Sequence, residues 1–212
     1  MKRLTREESK LRTRDALVAA AGDTFGREGF RSASVNEIAA SAGVTTGALY
    51  ASFKDKTDLF LAAYEHYLEE RFSEIADIVA GTDSREEATK AGAEQWFTRS
   101  KRKQGWHSAW LEFRLYAARD REVNRRVITR HRAMLDRIAS FYEPTLAEAG
   151  TDDPAGWAKK LARAQVAISN GYSIEQWTDP ELREEEFVKA SEAVMNGIWE
   201  QALATASKEP PA

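Results

Sequence analysis

Cysteine is absent from this 212-residue chain, which excludes a disulfide framework, a thiolate metal site and a cysteine nucleophile. Proline is scarce, with five residues, and runs of β-branched residues are few, while Ala, Glu, Arg and Leu are abundant. That composition favours an all-α fold. No stretch approaches the roughly eighteen apolar residues that a membrane span needs, and the opening MKRLTREESK is charged, without the apolar core of a secretory leader. The expectation is a soluble, cytoplasmic protein with no membrane partner. The three histidines, His66, His107 and His131, fall on three different predicted helices, with no pair at ligand spacing, so no metal site is expected. Neither a G-x-S-x-G elbow nor a glycine-rich phosphate loop is present. An enzyme is not expected, and no cofactor is implied.

Net charge is −3, but it is unevenly spread. Residues 1–57 carry ten Lys or Arg against seven Asp or Glu, whereas residues 58–212 carry twenty-one against twenty-seven. A net-acidic chain still suits DNA when its positive charge is gathered on one face, because phosphate contacts supply most of the non-specific affinity.

The basic end contains the stretch SVNEIAASAGVTTGALYASF, Ser34 to Phe53. Ser34 and Glu37 have capping-box spacing, Val35, Ile38, Ala39 and Ala42 recur at helical spacing, and Gly43 supplies a left-handed residue for a tight turn. Thr45 then caps a second helix on which Leu49 and Phe53 share an inward face, leaving Thr46, Gly47, Ala48, Tyr50 and Ser52 on the others. The turn alone fits either an ordinary αα-corner or a helix-turn-helix, whose second helix enters the major groove. Lys54 and Lys56 just beyond it, together with the charge distribution, favour the second.

At these residues the chain resembles a known family. The run Ser34 to Leu59, with its A-G-V, L-Y-x-x-F and K-x-K-x-x-L, is similar to the DNA-binding domain of TetR-family transcriptional repressors. The similarity is close over about residues 8–70 and extends in outline beyond. It implies an N-terminal three-helix DNA-binding domain over 1–57 and a C-terminal helical-bundle domain for ligand binding and dimerisation over 58–206, about nine helices in all, with a flexible tail at 207–212. Residue by residue, it places Thr46, Gly47 and Ala48 against base edges, Tyr50, Lys54 and Lys56 on phosphates, and Ser34 and Thr45 beside the DNA backbone. Ala51 and Ser52 stand where many members carry a bulky residue. The implied partners are a double-stranded DNA operator, a small-molecule effector and a second copy of the chain.

The rest of the chain reads as successive helices. Thr5 and Glu8 open the first, over about 6–27, which Gly29 ends, and Lys10, Arg12 and Arg14 on it are either solvated or near phosphates. Asp55 opens a long helix to about residue 80. Ser84 and Glu87 open another that closes on Arg99, Lys101, Arg102 and Lys103, cations that complement the helix dipole. A helix to about 119 carries Trp106, Trp110 and Phe113, and Asp120 starts a long one that Pro144 should kink and Gly150 close. Asp153–Pro154 and Asp179–Pro180 each pair a cap with a first-turn proline, predicting helices at about 154–177 and 180–206. This last pair, with small residues at Ala164, Gly171, Ala190 and Gly197, is the expected dimer interface, and the Q-W-T-D-P-E-L run between them also resembles the family's dimerisation helices.

All six tryptophans lie beyond the basic end. Most are expected in core or interface, but a cluster of indoles with a few polar groups also lines apolar ligand pockets. Trp106, Trp110, Phe113, Tyr116, His131 and Met134 are the candidates for such a pocket. The function expected from all this is a transcriptional regulator, a repressor released from a pseudo-palindromic operator by a small apolar or aromatic effector. The alternatives are a helical-bundle enzyme using the aromatic pocket and a protein-interaction module.

Overall fold

The computed structural model describes residues 5–206, so the expected tail at 207–212 lies outside the described residues. Within them the chain forms ten α-helices. These are α1 (Arg6–Ser32), α2 (Val35–Ser41), α3 (Thr46–Ser52), α4 (Lys56–Ala80), α5 (Arg85–Arg102), α6 (Gln104–Ala117), α7 (Arg121–Ala139), α8 (Glu143–Glu148), α9 (Pro154–Thr178) and α10 (Glu184–Leu203). Two compact units result. The first holds the chain through Arg71 together with Lys103–Val127, and the second holds Phe72–Arg102 with the chain from Ile128 onward. The unit boundaries fall inside α4 and α7 and between α5 and α6.

Helix starts follow their caps. Thr5 and Glu8 form a complete capping box, each side chain accepting from the other's backbone N–H. Ser34 accepts from the Glu37 N–H at 3.5 Å, the first half of a box. The Asp55 carboxylate accepts from the Asp58 N–H at 2.6 Å and so opens α4. Asp153 caps α9 with Pro154 in its first turn, as the sequence predicts.

Gly29 breaks the first helix, as the sequence predicts: φ is +80° and ψ 174° there, and a short helical stretch counted within α1 runs on to Ser32. Two helix boundaries differ from expectation. Pro144 starts α8 instead of kinking α7, because the chain has already turned through Ser140–Tyr142. Asp179 closes α9 instead of opening α10. Its carboxylate accepts from the Glu181 N–H at 2.9 Å, making a turn that carries Pro180 past the helix end.

The first unit is built on a glycine-lined crossing of α1 and α6. A Cβ on Gly105 would lie 1.6 Å from the Gly26 carbonyl oxygen, so the two backbones touch where no side chain fits. Trp106 then lies along Gly22 and Gly26. Around this crossing Phe60 sits edge-on to Phe25 and Phe30 and 4.4 Å from Phe113, while Tyr64 stacks on Trp110 at 4.0 Å. Leu17, Ile38, Leu49 and Phe53 complete the core beneath α2 and α3. In the second unit Trp96, Phe97 and Phe187 meet where α5 packs on α10, with Ile168 and Tyr172 of α9 against them.

Candidate nucleic-acid interface and cavity

The turn between α2 and α3 is short because Gly43 adopts φ +69°. The Gly43 N–H donates to the Ala40 carbonyl and the Val44 N–H to the Ala39 carbonyl, both at 3.0 Å, which satisfies the end of α2. Thr45 then caps α3, its hydroxyl accepting from the Ala48 N–H at 3.2 Å. Leu49 and Phe53 are fully buried and fix the roll of α3. Arg14 anchors its other end, the guanidinium lying 4.3 Å from the Phe53 ring centroid and donating to the Ser52 carbonyl. Of the two readings offered for Arg14, solvated or near a phosphate, neither includes this helix-capping role.

Opposite that anchored face α3 presents little relief. Gly47 is exposed, Ala48 half-buried and Ala51 exposed, and Tyr50 stands out at 53 % exposure. The Thr46 hydroxyl donates to the Asn36 side-chain carbonyl at 3.0 Å, so α2 and α3 are clasped by a polar pair that the sequence reading did not single out. Ser34 is half-buried at the start of α2.

The two lysines behave differently. Lys54 is solvent-facing, with Nζ 3.4 Å from a carboxylate oxygen of Glu122. Lys56 turns inward, contrary to the role the sequence reading gave it: its Nζ donates to the Arg31 carbonyl at 3.0 Å and lies 5.2 Å from the Phe30 ring centroid. Partial burial lowers its ammonium pKa below the usual lysine value, against the opposing pull of Glu112 and Glu28. Behind it, Glu112 accepts from the Phe30 and Arg31 N–H groups at 2.8 and 3.0 Å, closing the break that Gly29 makes in α1. Asp55 and Asp58 are held by Arg126. Partial burial would raise the Asp55 carboxyl, but the Arg126 guanidinium and the Asp58 N–H bring it below the usual carboxylate value.

Of the six residues expected to line a ligand pocket, four come together in the core of the first unit and two lie in the second. Trp106, Trp110 and Phe113 are buried in the core of the first unit, filling the glycine-lined crossing and stacking on Tyr64 and Tyr67. Tyr116 lies beside Phe30 in that unit, whereas His131 and Met134 belong to the second unit. None of the six lines the cavity that the second unit contains.

That cavity measures about 120 Å³. Ile75 and Ile78 of α4, one face of α5 from Arg85 to Trp96, Ile138 of α7, Phe141 and Tyr142 before α8, Gln165 and Ile168 of α9, and Phe187, Ser191, Met195 and Trp199 of α10 enclose it. Burial raises the Tyr142 phenol far above its ordinary pKa, and the neutral hydroxyl donates to the Gln165 side-chain carbonyl at 2.7 Å. Two sequence signals pointed here. Arg85 opens α5, where a cation opposes the helix dipole, and Ser191, Met195 and Trp199 recur at four-residue intervals on α10.

The family model described as bacterial regulatory proteins, tetR family, matches residues 17–63, the segment from mid-α1 into α4. The HTH-type transcriptional regulator AcrR of Shigella flexneri is 45 % identical over 65 residues, 31 % of this chain and 30 % of that protein. The matches span less than half the length of the curated relatives. Over the whole chain the likeness is one of fold. A transcriptional regulator from Rhodococcus superposes with a TM-score of 0.67 at 23 % identity, covering 89 % of this chain and 97 % of that one. FadR from Bacillus subtilis, in complex with stearoyl-CoA, gives a TM-score of 0.64 at 14 % identity, with 87 % and 96 % covered. Neither FadR's function nor its ligand follows from that degree of identity, but the arrangement of helices does. Residues 17–63 thus carry the helix-turn-helix segment of the bacterial regulatory proteins of the tetR family, and the arrangement of helices around it is one shared with solved transcriptional regulators.

Proposed function

We propose that this protein is a sequence-specific DNA-binding regulator, a repressor that leaves a pseudo-palindromic operator when a small, largely apolar effector enters the second unit. The observation that carries the reading is α3, anchored at both ends and on its buried face, with its opposite face uncovered. Thr46, Gly47 and Ala48 lie against base edges in this reading, and Tyr50 and Lys54 hold phosphates. Ser34 and Thr45 sit beside the backbone. Lys56 supports the surface from behind through Arg31 and Phe30 and does not contact phosphate. With Gly47 and Ala48 lacking hydrogen-bonding side chains, base readout rests on Thr46, on thymine methyl groups and on DNA shape.

The chain acts as a homodimer through α9 and α10. Ile174, Trp177 and Val194 are exposed apolar side chains on these helices, and a Cβ on Gly171 or Gly197 would meet nothing within 4 Å. A two-fold dimer that presents its recognition helices about 34–36 Å apart meets successive major grooves. An effector releases DNA only by binding better to a dimer of different spacing. In this reading residues 1–57 read DNA, and effector binding and dimerisation fall to 58–206. The effector site is the cavity between α5 and α10, not the cluster around Trp106.

The test is selection of bound duplexes from a random pool by the full chain at about 0.1 M salt, where non-specific binding is suppressed. Enrichment of an inverted repeat is the expected result. A folded dimer that enriches no sequence would overturn the proposal.

A further inference from the structure

The cavity of the second unit has a polar end and an aromatic end. The antiparallel packing of α5 on α10 sets Arg85 beside Trp199 and, roughly 16 Å along α5 by helix rise, Trp96 beside Phe187. At the aromatic end the Trp96 and Phe187 ring centroids are 4.3 Å apart. At the polar end the Arg85 guanidinium carbon lies 5.0 Å from the Trp199 ring centroid.

Among the described residues, three donors on this cavity have no hydrogen-bond partner. They are Nη1 of Arg85, the indole N–H of Trp199 and the hydroxyl of Ser191, all of them buried atoms. Trp199 is 2 % exposed and Ser191 5 %. Buried donors left unpaired are costly, so their gathering on one cavity marks a place for an acceptor. The Arg85 Nε and Nη2 are already engaged by Glu86 on the outer side. That contact holds the guanidinium in place and leaves Nη1 as the edge that faces inward. A cation and an indole N–H at one end of an otherwise apolar space suit an anion with two acceptor oxygens better than a neutral group.

Size narrows the choice further. An apolar cavity of about 150 Å³ holds one benzene ring, so this one, somewhat smaller at about 120 Å³, limits the ligand to a single ring with its carboxylate close by and excludes a long acyl chain. We propose that the cavity binds a compact arylalkanoic acid, its carboxylate on Arg85 and the Trp199 N–H and its ring toward Trp96 and Phe187. This rests on the reading of the cavity as the effector site and gives that effector a chemical class.

The experiment is titration of the full chain with phenylacetate, its neutral analogue phenylacetamide and hexadecanoate, followed by calorimetry and by tryptophan fluorescence. The acid should bind one per chain and at least roughly tenfold more tightly than the amide, the discrimination expected of a charge-assisted contact. Arg85→Gln should bring the acid down to the affinity of the amide while changing amide binding less than about twofold. Arg85→Lys should retain the preference for the acid, and Trp199→Phe, which keeps a ring but lacks the N–H, should weaken acid binding several-fold. Equal binding of acid and amide by the wild type overturns the proposal. So does an undiminished acid preference in an Arg85→Gln protein of unchanged circular dichroism, and so does preference for hexadecanoate. An operator recovered by DNA selection, with no acid bound, would sink this assignment and leave the regulator standing. Acid bound by a chain that enriches no DNA would do the reverse.

Discussion

Replacing Gly29 by alanine tests how the first unit holds the end of α1. The residue has φ +80° and ψ 174°, a region that residues with a Cβ occupy only under strain of about 1–3 kcal/mol. The new methyl would also lie 2.6 Å from a Glu112 carboxylate oxygen, the oxygen that accepts from the Phe30 N–H at 2.8 Å. Displacing a charged acceptor from such a donor adds roughly 1.5–3 kcal/mol. The two effects share one contact, so a total of about 3–5 kcal/mol is expected, or a melting temperature lower by roughly 6–20 °C for a chain of this size. Thermal denaturation followed by circular dichroism measures it. Glu112→Ala alone should lower the melting temperature less, and the double variant should be less destabilised than the sum of the two singles by more than about 1 kcal/mol. A Gly29→Ala protein that melts within about 2 °C of wild type would refute the account.

Three further outcomes follow from the described contacts. The lowered Asp55 carboxyl contributes stability that is present above its unfolded pKa and lost as pH falls through the folded value. Arg126→Met should therefore flatten the acid side of the stability profile, by about 1 kcal/mol or less because the Asp55 side chain is 41 % exposed; denaturant titrations at several pH values between about 2 and 6 will show whether that limb changes. Lys54→Ala should weaken binding to all DNA sequences alike and reduce the salt slope by about one, whereas Lys56→Ala should leave the slope unchanged and lower thermal stability. Trp177→Asp with Val194→Asp should turn a dimer into a monomer in sedimentation, and a dimer that persists would place the interface elsewhere.

The helix-turn-helix was legible because its determinants are local. A cap at Ser34, a left-handed glycine at 43 and apolar residues one turn apart at Leu49 and Phe53 act within twenty residues of one another. The boundaries at Asp179 and Pro144 were misread for the same reason. The Asp179–Pro180 pair fits an opening or a closing turn equally well, and Pro144 fits a kink or a first helical turn; only the packing of neighbouring helices decides. The ligand site failed at longer range. Tryptophans at 106 and 110 share a stripe with Phe113, which fits a pocket wall as well as a core, and what assigned them to the core was the glycine contact between Gly26 and Gly105. No periodicity within α6 reveals that contact. Arg85 carried a readable signal, a cation at the wrong end of a helix, that becomes meaningful once Trp199 lies beneath it.

The exposed face of α3 has a consequence for design. Gly47 has ordinary helical geometry, and a Cβ placed there would meet only the Thr45 hydroxyl oxygen, at 3.7 Å. Side chains can therefore be installed at this position, the second residue of α3, without disturbing the scaffold. Libraries at residues 47 and 48 would write new readout onto a platform whose stability is set elsewhere, by Leu49, Phe53 and Arg14. A helix with so little relief is an open slot for changing which base pairs the protein reads.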